Sequence, residues 1–229
     1  MKNKYIFNVL HQNNIIFSKS NEYGHDICIV REEDDKTPFC YFTSPHLSSL
    51  TEPKEIWSRA LSLMSLYNGV ENLFYNPLLE FSLVSNQKLT EMYIWKTNNK
   101  ITPYNYEEIA QSFPFDSNLN LDVKNLSKNN NMAYLIHLSK TKNDILHLLL
   151  QLGNGLDWIN LYSIYDSVKT YSKNIHKHHF NDVLTDSGHT NIEIKAFTGT
   201  VNNYGILGVN ARHGQIDLGT PQNIATLKE

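Results

Sequence analysis

The sequence predicts an α+β fold: an N-terminal antiparallel sheet with one long helix, followed by a helical C-terminal region. Three observations carry this. Residues 5–43 hold short runs rich in Tyr, Ile, Phe and Val, separated by polar stretches, which is the strand-and-turn pattern. After residue 131 the apolar residues recur at helical spacing instead. Between the two, residues 116–131 are rich in Asn and Ser and read as a linker. The chain thus divides into a β-rich α+β domain at 1–115, the linker at 116–131, and a helical region at 132–229 that contains a glycine-rich Arg-His segment.

Each element has a local signal. Tyr5–Leu10 and Ile15–Ser18 read as strands around the polar His11–Asn14. Ile27–Val30 and Phe39–Thr43 flank the charge run Arg31–Lys36, which suits a solvated hairpin tip. That run lacks the alternating oxygen ligands and the Gly turn of a hard-cation loop. Thr51-Glu52-Pro53-Lys54-Glu55 starts a helix: Thr51 can cap, the acids favour the positive end, and Pro is tolerated in the first turn. Ile56, Trp57, Ala60, Leu61, Met64 and Leu66 continue it to Asn68-Gly69, a stop signal. Phe81–Val84 and Met92–Lys96 read as two further strands around Ser85–Lys88, and Tyr106–Gln111 as a short helix ended by Pro114.

In the second half, Met132–Leu138 and Ile145–Leu152 read as one broken helix or two, closed by Asn154-Gly155. Trp158, Leu161, Tyr162, Tyr165 and Val168 form one apolar face at the helical period, with Asp157 placed to cap it. Thr226 and Glu229 match a capping box, which marks a helix start or a chance match.

Composition narrows the function classes. At 229 residues and 41% hydrophobic content the chain has ample core material, and a chain of this size buries roughly 70–75% of its unfolded surface. The formal charge is −3, so nothing announces a nucleic-acid or membrane partner. Residues 131–214 carry 7 basic and 6 acidic side chains with seven of the ten His, which makes that half the better place for an anion. The two cysteines, Cys28 and Cys40, read as reduced thiols on neighbouring strands, with a cross-strand disulfide as the alternative. They have no companions at metal-ligand spacing, so no metal is expected. The N-terminus reads as a strand rather than a signal peptide, no window is apolar enough to span a membrane, and a cytoplasmic location is the default expectation.

Two segments could carry chemistry. The first is His176-Lys177-His178-His179, with His189 further on. His176 and His179 could bind a metal or move protons. The competing reading is a polar helix end, where His and Lys suit the helix dipole. The second is Phe197–Gly214, in which Gly199, Gly205, Gly208 and Gly214 mark places for positive φ or close approach. There Arg212 and His213 either pin a loop onto helix carbonyls, the favoured reading, or grip a phosphate or carboxylate, with imidazole as acid or base. Thr200 and Asn202 join Arg212 as anion-binding candidates. Tyr162, Tyr165 and Tyr171 read as core rather than as a base-stacking platform.

The pattern Thr200-x-Asn202-x5-Gly208-x2-Ala211-Arg212-His213-Gly214 resembles the signature of a family of uncharacterised bacterial proteins with a helical C-terminal region. The resemblance covers residues 150–215 and takes in Trp158–Tyr165. Val201 stands where that family has a small Ala. The resemblance implies a further helix after the signature, and kinship rather than an activity. The helical half also resembles HEPN-type ribonucleases, which need an Arg followed four to six residues later by His. Arg31, Arg59 and Arg212 all lack that follower.

A P-loop, a nucleophile elbow, an H-E-x-x-H zinc motif and a Rossmann fingerprint are all absent, so no cofactor is expected. The sequence therefore points to a non-enzymatic binding or interaction protein. Its partner would be another protein chain paired at a sheet edge or an anionic group met by the Arg-His segment, with nucleic acid second and no membrane. The alternative is a metal-independent nuclease or phosphotransfer-like enzyme, with Arg212 holding phosphate and His213, His176 or His179 moving protons.

Overall fold

The computed structural model describes residues 4–10, 26–32, 39–75, 88–94, 100–101, 112–119, 131–214, 219 and 221–225. The strands are β1 (Tyr5–Leu10), β2 (Cys28–Glu32), β3 (Phe39–Thr43), β4 (Lys88–Ile94) and β5 (Lys100–Ile101). They form one antiparallel sheet in the order β2-β3-β1-β4-β5. The α+β class is the one the sequence predicts. In β1, Tyr5, Phe7 and Val9 are buried while Ile6 and Asn8 are only partly so, the two-residue period of a strand with one face on a core.

The strand expected at Met92–Lys96 begins earlier, at Lys88, because β4 pairs with β1 along its whole length, from Leu10↔Lys88 to Tyr5↔Ile94. That ladder outweighs the polar local composition. The strands expected at Ile15–Ser18 and Phe81–Val84 lie outside the described residues, as do the helix expected at Tyr106–Gln111 and the capping box at Thr226. Of the charge run, Arg31 and Glu32 belong to β2 and the rest lies outside. Cys28 is a free thiol, and burial pushes its pKa up. It faces Thr43 across the ladder whereas Cys40 faces Arg31. Three rungs of about 3.4 Å separate the two, beyond the roughly 7 Å Cα reach of a disulfide.

Helix α1 (Pro53–Tyr75) lies on the sheet, with Trp57 edge-on to Phe7 at 4.9 Å between ring centroids. It is the fold's central helix, and every residue from Ser62 to Asn72 is buried. A helix covered on all sides must satisfy its polar groups internally. Ser62 Oγ donates to Ser58 O and accepts from the Ser112 N–H, and Asn72 Nδ2 donates to Leu152 O at 2.8 Å. The expected stop at Asn68-Gly69 is overridden, and the helix runs on to Tyr75. Gly69 is there for packing. A Cβ on it would lie 1.8 Å from the carbonyl oxygen of Leu149.

Leu149 belongs to α3 (Asn143–Gly153), which follows α2 (Asn131–Ser139). The expected break between the two helices is present, and Asn154 caps α3. The contact is reciprocal: a Cβ on Gly153 would lie 1.8 Å from the carbonyl oxygen of Ser65. Met132, Ile136, Leu146 and Leu149 share one hydrophobic cluster with Phe7, Phe42 and Trp57. The core is therefore continuous across the 116–131 stretch.

A smaller layer is built on α3 from α4 (Trp158–Asn174), α5 (Phe180–Asp186), α6 (Asn191–Val201) and α7 (Tyr204–Leu207). Asp157 caps α4 as expected, accepting the Asn160 N–H at 2.8 Å. A capping box of Thr190 and Glu193 starts α6. Phe197 of α6 stacks on Trp158 and Tyr162 and meets the edge of Tyr165. The apolar face of α4 is thus half-buried in an aromatic cluster rather than sealed in a core; among its described residues only Ser172 is buried. Among the described residues no helix is long and apolar enough to cross a membrane.

Candidate functional site

The glycine-rich segment folds back on α6. That helix ends at Val201 with Asn202 as its cap, and the chain makes one short turn as α7. Gly208 then takes φ +56°, the one glycine of the four marked by the sequence that needs the left-handed region. A 3-10 turn at Gly208–Asn210 follows, and the Arg212 N–H donates to Val201 O at 2.9 Å. The loop-pinning role falls to the backbone of Arg212, which leaves its side chain for another task.

That side chain lies over Tyr162, with the guanidinium carbon 4.1 Å from the ring centroid. Asp166 is its nearest carboxylate among the described residues at 3.8 Å, an ion-pair distance that is too long for a hydrogen bond. The guanidinium side chain is 40% exposed. Among the described residues it donates no hydrogen bond, so its fork sits over the ring with its N–H donors unused.

Arg212 closes one end of a groove of about 480 Å³ between α3 and α4. Ile159, Tyr162 and Asp166 line it from α4. At its other side stand His147 of α3 and Tyr171 of α4, with the Tyr171 hydroxyl 2.6 Å from His147 Nδ1. The hydroxyls of Ser163, Ser167 and Thr170 complete the wall. The groove sits within the roughly 300–1,000 Å³ typical of small-ligand sites.

The other expected site residues lie elsewhere. Thr200 is fully buried; its Oγ1 donates to Ala196 O and accepts the Ala225 N–H, so its hydrogen-bonding capacity serves the fold. Asn202 caps α6, and its Oδ1 is buried without a partner among the described residues. His213 is exposed and does not line the groove.

His176 Nε2 lies 2.8 Å from Asp144 Oδ2 and ties the end of α4 to the first turn of α3. Burial works to raise the Asp144 carboxyl. The His176 hydrogen bond and the N–H groups of Ile145 and Asp144 outweigh it and hold that carboxyl below the usual range. His179 caps α5 through its backbone, on the far side of Tyr165. No group of three or more metal-type side chains gathers among the described residues.

Sequence reasoning passed over His147 and Asp166, and it read Tyr162 and Tyr171 as core, whereas both line the groove. A signal existed: Ile159, Tyr162, Ser163, Asp166, Ser167 and Thr170 recur at helical spacing and form a mixed stripe beside the apolar face of α4. Its role depended on Arg212 arriving from a distant loop, which periodicity does not reveal. No family model matches this chain, and neither curated proteins nor solved structures give a match.

Proposed function

We propose that the chain is a non-enzymatic binding protein that receives an anionic group of its ligand or partner chain in the α3–α4 groove, on Arg212. The supporting observation is the guanidinium seated over Tyr162, with Asp166 at ion-pair distance and its N–H donors in no hydrogen bond among the described residues. Stacking removes much of the side-chain freedom that an arginine otherwise loses on binding, and its fork suits a phosphate or carboxylate. His213, adjacent in sequence, stays outside the groove.

The test is calorimetric titration of pyrophosphate and citrate into the parent and Arg212→Gln. A charge-assisted hydrogen bond is worth roughly 1.5–3 kcal/mol, so the variant should bind the preferred anion about 10–100-fold more weakly. Its Tm should move by no more than about 4 °C, because an exposed ion pair contributes at most about 1 kcal/mol. A large fall in Tm with no anion bound by the parent would make Arg212 structural.

A second reading, a metal-independent nuclease or phosphotransfer-like enzyme, is favoured by the His147–Tyr171 pair in the same groove. In it His147 moves the proton that the sequence assigned to His213, His176 or His179, and Arg212 holds phosphate. Labelled RNA and DNA incubated with the protein and a chelator decide it: cleavage should be lost in His147→Ala and kept in His213→Ala. Absence of cleavage by the parent rejects this reading and leaves the binding reading untouched.

A further inference from the structure

On the other side of α4 a second trough, of about 370 Å³, opens between α4, α5 and α6. Its apolar lining comes from all three helices: Tyr165, then Phe180 and Leu184, then Ile194. Tyr165 and Phe180 meet edge to face at 5.3 Å, and Leu184 is buried. Three groups of positive or proton-donating character line the same space: Lys169 from α4, His179 from the head of α5, and Lys195 from α6. All three are exposed. Among the described residues no carboxylate lines the trough. Among the described residues neither lysine is in an ion pair; Lys169 only leans over Tyr165, 5.9 Å from its centroid. Like charges gathered without a counter-charge over apolar surface are an arrangement that an anion relieves. Asn181, Asn191 and Thr198 complete the lining, so apolar and polar side chains share the trough.

We propose that this trough binds a small amphiphilic acid. Its apolar body would lie against Tyr165, Phe180, Leu184 and Ile194, and its anionic head would sit between Lys169 and Lys195, with His179 as a further donor. The site is separate from the Arg212 groove and shares no lining residue with it; of the histidine run after α4, His179 alone lines it.

The experiment is calorimetric titration of octanoate and of octanol into the full chain. Octanoate should bind saturably, and octanol at least about tenfold more weakly, because a charge-assisted hydrogen bond is worth at least about that factor. The Lys169→Gln/Lys195→Gln double variant should lose octanoate affinity about tenfold or more with an unchanged melting curve, since both side chains are exposed. Arg212→Gln should leave octanoate binding as in the parent. Failure of the parent to bind octanoate, equal affinity for octanol, or undiminished binding by the lysine variant overturns the proposal. Loss of octanoate binding in Arg212→Gln overturns it in favour of the first groove.

Discussion

Gly69→Ala and Gly153→Ala are each expected to destabilise the chain by about 3 kcal/mol or more, against the direction that helix propensity alone sets. Inside a helix, alanine is better than glycine by roughly 0.8–1.0 kcal/mol, so a glycine free of neighbours would gain from the change. Here the added methyl would fall 1.8 Å from a main-chain carbonyl oxygen of the facing helix in both cases. A carbonyl in a hydrogen-bonded helix cannot swing aside as a side-chain tip can. Relief therefore needs α1 and α3 to separate, which opens the core around Leu63, Leu66 and Leu149. Overpacking of this kind costs typically 1–3 kcal/mol and more where backbone must move. With roughly 2–4 °C of Tm per kcal/mol for a chain of this size, the fall should be about 6–12 °C. Urea unfolding of the two variants measures it, and a stability equal to or above the parent would show that the helices do not approach so closely.

That contact also shows where sequence reading stops. Asn68-Gly69 carries a helix-stop signature, and local chemistry read alone ends α1 there. The signature is the same whether a glycine frees the chain for a turn or clears room for a neighbouring backbone, and only the partner helix, some eighty residues on, distinguishes the two. Where the signal is local the reading holds: the strand at Tyr5–Leu10, the Asp157 cap and the break between α2 and α3 were legible, while of four glycines marked alike for positive φ or close approach only Gly208 takes a positive φ. The strand β4 was legible only in part, because its first residues owe their state to pairing with β1.

The candidate site divides in the same way. Arg212 stood out by rarity and by its glycine-rich surroundings. Its companions Thr200 and Asn202, drawn in by nearness in sequence, face other ways: α6 turns Thr200 into the interior, where its hydroxyl bridges Ala196 and Ala225. The groove partners His147 and Tyr171 lie on two different helices and come together only because α3 and α4 pack side by side. The charged group most deeply buried in the described core, Asp26, had no sequence signal, since nothing local ties it to His46 or Lys140.

Asp26→Ala is the second substitution expected to have a large effect, about 3–5 kcal/mol, the usual cost of removing one partner of a buried ion pair. Asp26 is 3% exposed, just ahead of β2. Its Oδ1 accepts from His46 Nε2 at 2.8 Å and from Lys140 Nζ at 3.0 Å. His46 is fully buried, and its Nδ1 accepts the Asp116 N–H at 3.0 Å. The ring proton is thereby fixed on Nε2, facing the carboxylate. One carboxylate thus ties the sheet to the loop at 112–119 and to the end of α2, and alanine would leave an ammonium and a buried N–H without acceptors. Burial alone would raise the Asp26 carboxyl, but the His46 hydrogen bond and the Lys140 charge outweigh it and hold it below the usual range. The sign of the pH dependence follows. With the folded value below the unfolded one, near 3.9, the unfolded chain binds more protons in the acid range, so stability rises with pH. The contribution is fully present above about pH 5 and is lost as pH falls through the folded value. Asp26→Asn keeps an acceptor for His46 and removes the charge, so it should cost less than alanine and flatten the acid limb. Asp116, Asp144 and Glu193 shift in the same direction and leave a residual slope; the difference between the parent and Asp26→Asn isolates Asp26. Urea unfolding of both from neutral pH down to pH 3 makes the comparison. Parallel curves would show that Asp26 titrates alike in the folded and unfolded chain, and the buried tie would then carry none of the fold's acid sensitivity.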